Sequence, residues 1–434
     1  MASSDPLQAG TRLLIIGYVW PEPRSSAASG HVMQLIQCFL EQGWQITFAS
    51  PATEGEHKAD LASLGIDEVR IELNDSSFDV FISELAPDVV LFDQFMIEEQ
   101  FGWRVEQHCP NALRILETSD LQSLRHARHE LIKEHLKTHP QQNDFSGVFA
   151  LDNPDLYRAV APGDLAQREI AALYRCDLNL MTSDVEIGLL TSQFGLPASI
   201  LHWCPLMLDV VPEAAPSYDQ RQHFLTIGNF RHAPNWDAVL WMKNAVWPLI
   251  RQRLPDAQFH VYGAYTPPKA AALHNAAQGF LVKNWAEDAL AVMSQARVCL
   301  APLRFGAGIK GKLIDAMLCG TPSVTTAVGA EAMGDVEGRW PGLIANSAQG
   351  LADAAVRLHE DRGLWDQAQA DGLALLGARY RHATHCASLI ERIQAIRADL
   401  PRHRLGNFTG MMLRHHHLKS TKYMAQWIEA KNRK

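Results

Sequence analysis

No stretch of this 434-residue chain approaches the ~20 consecutive apolar residues that a membrane-spanning helix needs. The apolar run 13–20 is too short, and is broken too soon by Pro21, to be read as a signal peptide with its cleavage site. Cysteine is sparse. Seven thiols, at Cys38, Cys109, Cys176, Cys204, Cys299, Cys319 and Cys386, are odd in number and scattered without a close pair. That spacing argues against a zinc cluster and predicts buried thiols in a reducing cytosol rather than disulfides. Charge is modest at 20% against 47% apolar residues, a globular balance that excludes wholesale disorder. The expected location is cytoplasmic.

What charge there is lies unevenly. Residues 401–434 hold eight Lys or Arg against one acid, Glu429, so this tail carries +7 of a net charge of −9 and leaves −16 on residues 1–400. An acidic body argues against nonspecific nucleic-acid binding. The tail, with His415-His416-His417 and Trp427, suits anionic lipid at the inner face of a membrane, a polyanionic acceptor or a protein contact. Met424, Trp427 and Ile428 at helical spacing also suit docking on the chain itself.

Short apolar runs alternate with amphipathic stretches from the start. Strands are predicted at 13–17, 45–50, 69–73, 88–93, 114–118 and 178–182, with helices at 32–40 and 167–174 and a polar excursion at 138–164. A second alternation has strands at 224–228, 258–263, 279–283, 298–303 and 323–326. Its helices are predicted at 235–253, 268–277, 287–295, 309–318 and 348–360. Continuous apolar strands between helices imply parallel sheets covered on both faces. The fold class is therefore α/β: two facing Rossmann-like, doubly wound domains with a basic C-terminal helical extension. The predicted division is 1–210, a proline-marked linker 211–222, a second domain 223–380 and an extension 381–434. In such sheets ligands bind at the carboxyl ends of the strands, so two facing domains imply a shared cleft.

The run Ala301-Pro302-Leu303-Arg304-Phe305-Gly306-Ala307-Gly308-Ile309-Lys310-Gly311-Lys312-Leu313-Ile314-Asp315 leads from a strand through a glycine-rich loop into a helix. Glycines let backbone amides approach a ligand, and a helix N-terminus carries partial positive charge. Arg304, Lys310 and Lys312 beside it suit a diphosphate, and Asp315 a polyol such as a ribose. The duller reading is a strand-loop-helix turn with a solvated basic rim.

Set among its neighbours, this loop resembles the donor site of the glycosyltransferases of the two-Rossmann-domain (GT-B) class, in the retaining group 1 or family 4. The resemblance runs through Gly228-Asn229-Phe230-Arg231-His232-Ala233-Pro234-Asn235-Trp236, Val261-Tyr262-Gly263, the glycine loop, Gly320-Thr321-Pro322 and Val328-Gly329-Ala330-Glu331. In the first half it includes Trp20-Pro21-Glu22-Pro23 with Gly30, and Glu117-Thr118-Ser119-Asp120-Leu121-Gln122-Ser123-Leu124-Arg125. It implies a nucleotide-diphosphate sugar as donor, no metal or other cofactor, and a glycan, lipid-linked glycan or other cell-surface precursor as acceptor. It further implies donor binding by Gly30, Gly228, Trp285 (a nucleobase wall), Arg304, the amides of Gly308 and Ile309, Lys310, Lys312 and Asp315, with Asp120, Lys310 and Lys312 catalytic. Glu331 falls on the sugar-side rim.

The chain departs from that pattern in three places: Asn229 and Pro234 fall where an Arg/Lys pair often follows the first C-terminal strand, a role Lys310 and Lys312 are expected to take over, and two single positions differ. Ala307 stands where the first acid of an acidic pair would hold the donor sugar, and Gln122 where an imidazole would be; an amide orients a hydroxyl but exchanges no proton near neutral pH. These departures keep open a non-catalytic glycosyltransferase-like subunit, and, more distantly, a nucleotide-sugar epimerase. Several residues also have structural readings: Asp120 with Arg125 as a capping ion pair, His232 as a turn residue, Glu186 as a helix-dipole partner, and Trp236, Trp241 and Trp247 as core.

Overall fold

Each apolar run of the first half becomes a strand of one parallel sheet: β1 (Arg12–Ile16), β2 (Gln45–Ser50), β3 (Asp67–Arg70), β4 (Val89–Asp93), β5 (Leu113–Glu117), β6 (Leu178–Met181) and β7 (Leu201–Trp203). These assignments come from a computed structural model, which describes residues 10–432 except 210, 211, 213, 214 and 336. The strand order is β3-β2-β1-β4-β5-β6-β7. Strands β4 and β5 are buried along their whole length, as a parallel sheet covered by helices on both faces requires. The second half repeats the plan with β8 (Phe224–Ile227), β9 (Phe259–Tyr262), β10 (Phe280–Asn284), β11 (Val298–Ala301), β12 (Ser323–Thr325) and β13 (Gly342–Ile344), ordered β10-β9-β8-β11-β12-β13. In both sheets the order reverses beside the first strand, and the crevice at that switch point opens on the strands' carboxyl edge.

Differences from the sequence-based expectation have local causes. The strand expected at 69–73 ends at Arg70. The edge strands β7 and β13 are only three residues long and carry too little pattern to be read. The helix expected over 235–253 is interrupted by a wide turn, Met242–Val246, between Ala233–Trp241 and Trp247–Arg253. Pro248 has no N–H to donate, which accounts for the widened register ahead of it. Of the helix expected over 268–277 only Pro268–Ala271 forms. The linker expected at 211–222 lies partly outside the described residues, and its end is a short turn, Tyr218–Gln220.

The cysteine reading needs correction. Cys38 and Cys386 form a disulfide across 348 residues of sequence. Helix Ala27–Glu41 and helix His382–Ala398 pack together in one apolar cluster, with Leu35, Ile36 and Phe39 meeting Leu389 and Ile390, and this brings the two Cα atoms to 5.6 Å. Sequence spacing carries no trace of that contact. Among the described residues the other five cysteines are free thiols.

After Tyr380 the chain leaves the second sheet and returns to the first. Helices His382–Ala398, Leu400–Leu405 and Phe408–Asn432 follow. Arg404 locks this return. Its guanidinium takes both oxygens of buried Asp177, each at 2.9 Å, and donates to the carbonyls of Pro110 and Ala112. The Asp177 carboxyl is driven down to about 2: burial opposes the charge, but Arg114 and Arg404 outweigh it.

The polar excursion is also structured. It contains the helices Ser146–Phe149 and Asn153–Val160. Phe145, fully buried, joins Ile132 in the core of the second domain, in edge contact with Trp241, and its amide donates to Asn346. A segment of the first domain therefore completes the core of the second.

Candidate functional site

The carboxyl ends of β8, β9 and β11 face those of β1 and β5. On one side, β11 passes through the glycine loop into helix Gly311–Leu318. On the other, the loop after β1 opens helix Ala27–Glu41, whose Ser26 side chain accepts from the Ser29 amide. The two helix N-termini abut: a Cβ on Gly311 would lie 2.3 Å from that of Ala27, so only glycine permits this approach. The Ser29 amide is capped by Ser26 and the Leu313 amide by the Lys310 carbonyl, but the partial positive charges of the two N-termini add in one place. Gly30 lies in the first turn of Ala27–Glu41, where an added Cβ would meet nothing within 4 Å. Beside it, the buried Ser25 hydroxyl has no hydrogen-bond partner among the described residues.

Cations surround this junction. Lys312 Nζ donates to Asn235 Oδ1 at 2.7 Å, and Asn235 in turn donates to the Asn229 carbonyl. Burial pushes the Lys312 ammonium down to about 8, and burial pushes the Asp315 carboxyl, one turn along, up to about 7 against the pull of Lys312. Lys310 is buried, with Nζ on the Gly308 carbonyl at 2.7 Å and Glu331, Arg128, Glu186 and Asp120 in electrostatic range. His232, exposed on the loop after β8, faces Arg125, Asp120, Lys312 and Lys310. Around the junction Arg125, Arg128, Lys310 and Lys312 stand against Asp120, Glu186 and Glu331, with Asp315 beside Lys312, so the cations gather here among acids of similar number.

Asp120 follows β5. Its carboxylate is held by Arg125, with Nε–Oδ2 at 2.6 Å. Ser119 before it adopts φ of +50°, a conformation costly for a residue with a side chain, and is fixed by Glu117, which accepts from both its amide and its hydroxyl. Behind Glu117 lies a buried polar group of His31, Asp93 and Cys204. His31, in the first turns of helix Ala27–Glu41, points inward to Glu117 at 3.1 Å. Gln122 bonds Gln94 side chain to side chain at 2.8 Å, and the amides of Gln122 and Ser123 are capped by the buried Glu169 carboxylate.

Among the described residues at least four contacts cross the cleft. Arg128 forms a two-pronged pair with Glu331, at 2.7 and 2.8 Å, and also donates to the Gly306 carbonyl. Glu186 accepts from the Gly308 amide on one side and from the Leu121 amide on the other. Gly308 sits at φ of +60° with the Ser119 carbonyl only 2.5 Å from where a Cβ would be. The third contact is aromatic: His57 of the first domain stacks on Trp285 of the second at 4.2 Å and 3°. Tyr265 beside them donates to Glu22 at 2.8 Å under the guanidinium of Arg231.

Several sequence-selected residues thus acquire defined places. Gly30, Lys310, Lys312, Ile309 and Asp315 surround the helix junction, and Asp120 faces it. Gly228 follows β8 and packs against Asn235. Two others are already engaged. Arg304 does not reach into the cleft: Asp237 holds it at 2.5 and 2.8 Å, flanked by Phe145 and Trp241, so it braces the loop rather than presenting a free cation. The Gly308 amide is occupied by Glu186. Ala307 lies in the first domain's apolar cluster and presents no polar atom beyond its backbone. Arg128, Glu186, Asn235 and His232 complete the site; Arg128 was hidden because a cross-domain pair leaves no spacing signal, and Glu186, read as a helix-dipole partner, turns out to cap the Gly308 and Leu121 amides.

Residues 221–361 match the model of the family described as glycosyl transferases group 1. No curated protein sequence matches the chain. Among solved structures, sucrose-phosphate synthase from Thermosynechococcus elongatus superposes with a TM-score of 0.63 at 16% identity, over 89% of this chain and 99% of that one. HepE from Anabaena, in complex with UDP and glucose, gives 0.62 at 13% identity over 88% and 99%. A glycosyltransferase from Rickettsia africae gives 0.61 at 10% over 89% and 98%. At such identities the likeness establishes the shared architecture, two facing Rossmann-like domains.

Proposed function

We propose that this chain, which carries a group 1 glycosyltransferase domain on a GT-B fold, moves a sugar from a nucleotide-diphosphate sugar to a glycan, lipid-linked glycan or other cell-surface precursor. The observation that carries the reading is the meeting of two helix N-termini, Ala27–Glu41 and Gly311–Leu318, beside Lys310, Lys312 and Arg125. An anion of two adjacent phosphates matches such a junction in its clustered lysines and in the partial positive charge of the two helix N-termini. HepE, of the same architecture, holds UDP, which supports a nucleoside diphosphate as the leaving group.

In this reading the bond between the sugar's anomeric carbon and the β-phosphate oxygen breaks, and its electron pair passes to that oxygen. Lys310, Lys312 and the helix amides stabilise the charge as it grows. The acceptor hydroxyl attacks from the same face, orients on Asp120 and gives its proton to the departing phosphate, so configuration is retained and no metal is required. Asp315 takes the ribose hydroxyls, the base lies beside the His57–Trp285 stack, and Glu331 borders the sugar. The test is direct. A nucleoside diphosphate well above its dissociation constant should stabilise the chain by ~2–3 kcal/mol in thermal unfolding, and the matching nucleotide sugar should be hydrolysed slowly with retention at the anomeric carbon. No stabilisation by any nucleoside diphosphate would refute donor binding, and an inverted product would refute the stereochemistry.

Two observations favour a second reading, a non-catalytic partner of the same fold. Ala307 supplies no carboxylate to the sugar, and Gln122 is committed to Gln94. Nucleotide binding without hydrolysis of any nucleotide sugar would select it.

A further inference from the structure

Helix Phe408–Asn432 has two faces of opposite character. Gly410, Arg414 and Ala425 are buried against the first domain. Asn407, just before the helix, donates to the Tyr174 carbonyl, and Arg414 to that of Arg175. At ~100° per residue, the opposite face carries Phe408, Met412, Tyr423 and Trp427 within a stripe about 100° wide. These side chains are not sheltered: Phe408 is 73%, Tyr423 64% and Trp427 60% exposed. Among the described residues, six of the fifteen exposed large apolar side chains fall between Leu405 and Trp427, a stretch of 23 of the 434 residues. Scattered singly, such residues need no explanation; lined along one helix face they do.

The charge around the stripe is basic. The tail carries +7 against −16 for the rest of the chain. Arg404 and Arg414 spend their charge inward on Asp177 and on the neighbourhood of Glu106. Lys431 stands over the Trp427 ring at 5.3 Å, Lys422 and His415 border the stripe, and exposed His416 lies within it. Aromatic rings with cations beside them, on a helix too polar to span a bilayer, are the composition of a segment that lies in the headgroup plane.

We infer that the outer face of helix Phe408–Asn432 is a docking surface for an anionic lipid bilayer, with Phe408, Met412, Tyr423 and Trp427 entering the interface and the basic residues facing lipid phosphates. The net negative charge of residues 1–400 disfavours an approach by the body as a whole, so this face is the one expected to lie against the membrane. That fixes the orientation of the first domain, which carries the helix. The inference rests on this face alone and stands or falls independently of the transferase reading.

The full chain is to be sedimented with phosphatidylcholine vesicles containing about 30 mol% phosphatidylglycerol and with pure phosphatidylcholine vesicles. The surface predicts binding to the anionic vesicles at least ~10-fold tighter than to the neutral ones, falling as salt screens the attraction. The triple variant Phe408→Ser, Tyr423→Ser, Trp427→Ser should lose that binding at least ~10-fold with unchanged thermal unfolding, because these side chains have no buried partners to lose. Equal binding to both vesicles, no binding to either, or a triple variant that binds as the parent does would overturn the proposal. So would a parent chain that sediments as a dimer which the triple variant dissolves, since the stripe would then be covered by a second copy.

Discussion

Lys312 and Asp315, one turn apart on the helix that begins at Gly311, move toward each other in pKa because each loses water: the ammonium falls to about 8 and the carboxyl rises to about 7. Folding has left a lysine whose charge is not secure at mildly alkaline pH. A lowered lysine pKa means the protonated form is present below about 8 and lost above it. If Lys312 neutralises a phosphate, affinity for a nucleoside diphosphate should weaken by up to ~10-fold per unit as pH rises above 8. Lys312→Arg, always charged, should remove that slope. Titrations at pH 7, 8 and 9 would check this (nominal settings, about one unit apart); an unchanged slope in the arginine variant would assign the titration to another group.

At the level of elements, the strands and the glycine loop were legible because a continuous apolar run closed by glycine or proline admits few alternatives. The runs at 45–50 and 348–360 even carry the observed bounds. What stayed illegible was whatever depends on a partner distant in sequence. Arg304 reads as a phosphate cation until Asp237 is seen to hold it, Trp285 reads as a free wall until His57 covers it, and Cys38 gives no hint of Cys386. The short helix Leu400–Leu405 shows how much such a partner can matter. Arg404 neutralises a carboxylate that has almost no access to water, so Arg404→Met leaves Asp177 with Arg114 and, farther off, Arg414. A loss of about 3–5 kcal/mol is expected on chemical unfolding. The Asp177 contribution has a pH sign as well. Its pKa is depressed, so the stabilisation is complete above the ordinary carboxylate value near 3.8 and is lost as pH falls through about 2. An Arg404→Met chain as stable as its parent would show that the tail is not anchored there.

For the whole molecule, the cleft is a property of two domains held in one arrangement. Arg128 reaches Glu331 and Gly306, Glu186 reaches Gly308, and Phe145 is inserted in the far core. The donor loop is shaped from both sides, which is why neither half of the sequence described it fully. Phe145 is the apolar part of this fastening. Phe145→Ala should cost about 3–5 kcal/mol of anchoring and make 139–151 susceptible to limited proteolysis while both sheets stay folded; continued protection of that segment would mean the other contacts suffice. The central claim, a nucleoside diphosphate held where the two helix N-termini meet, is tested most directly by calorimetric titration of UDP, GDP and their nucleosides into the chain and into Lys312→Ala. The predicted result is that one diphosphate binds, that its nucleoside binds far more weakly, and that Lys312→Ala weakens the diphosphate at least ~10-fold while leaving the nucleoside unchanged. Equal losses for diphosphate and nucleoside, or no binding of any diphosphate, would contradict it.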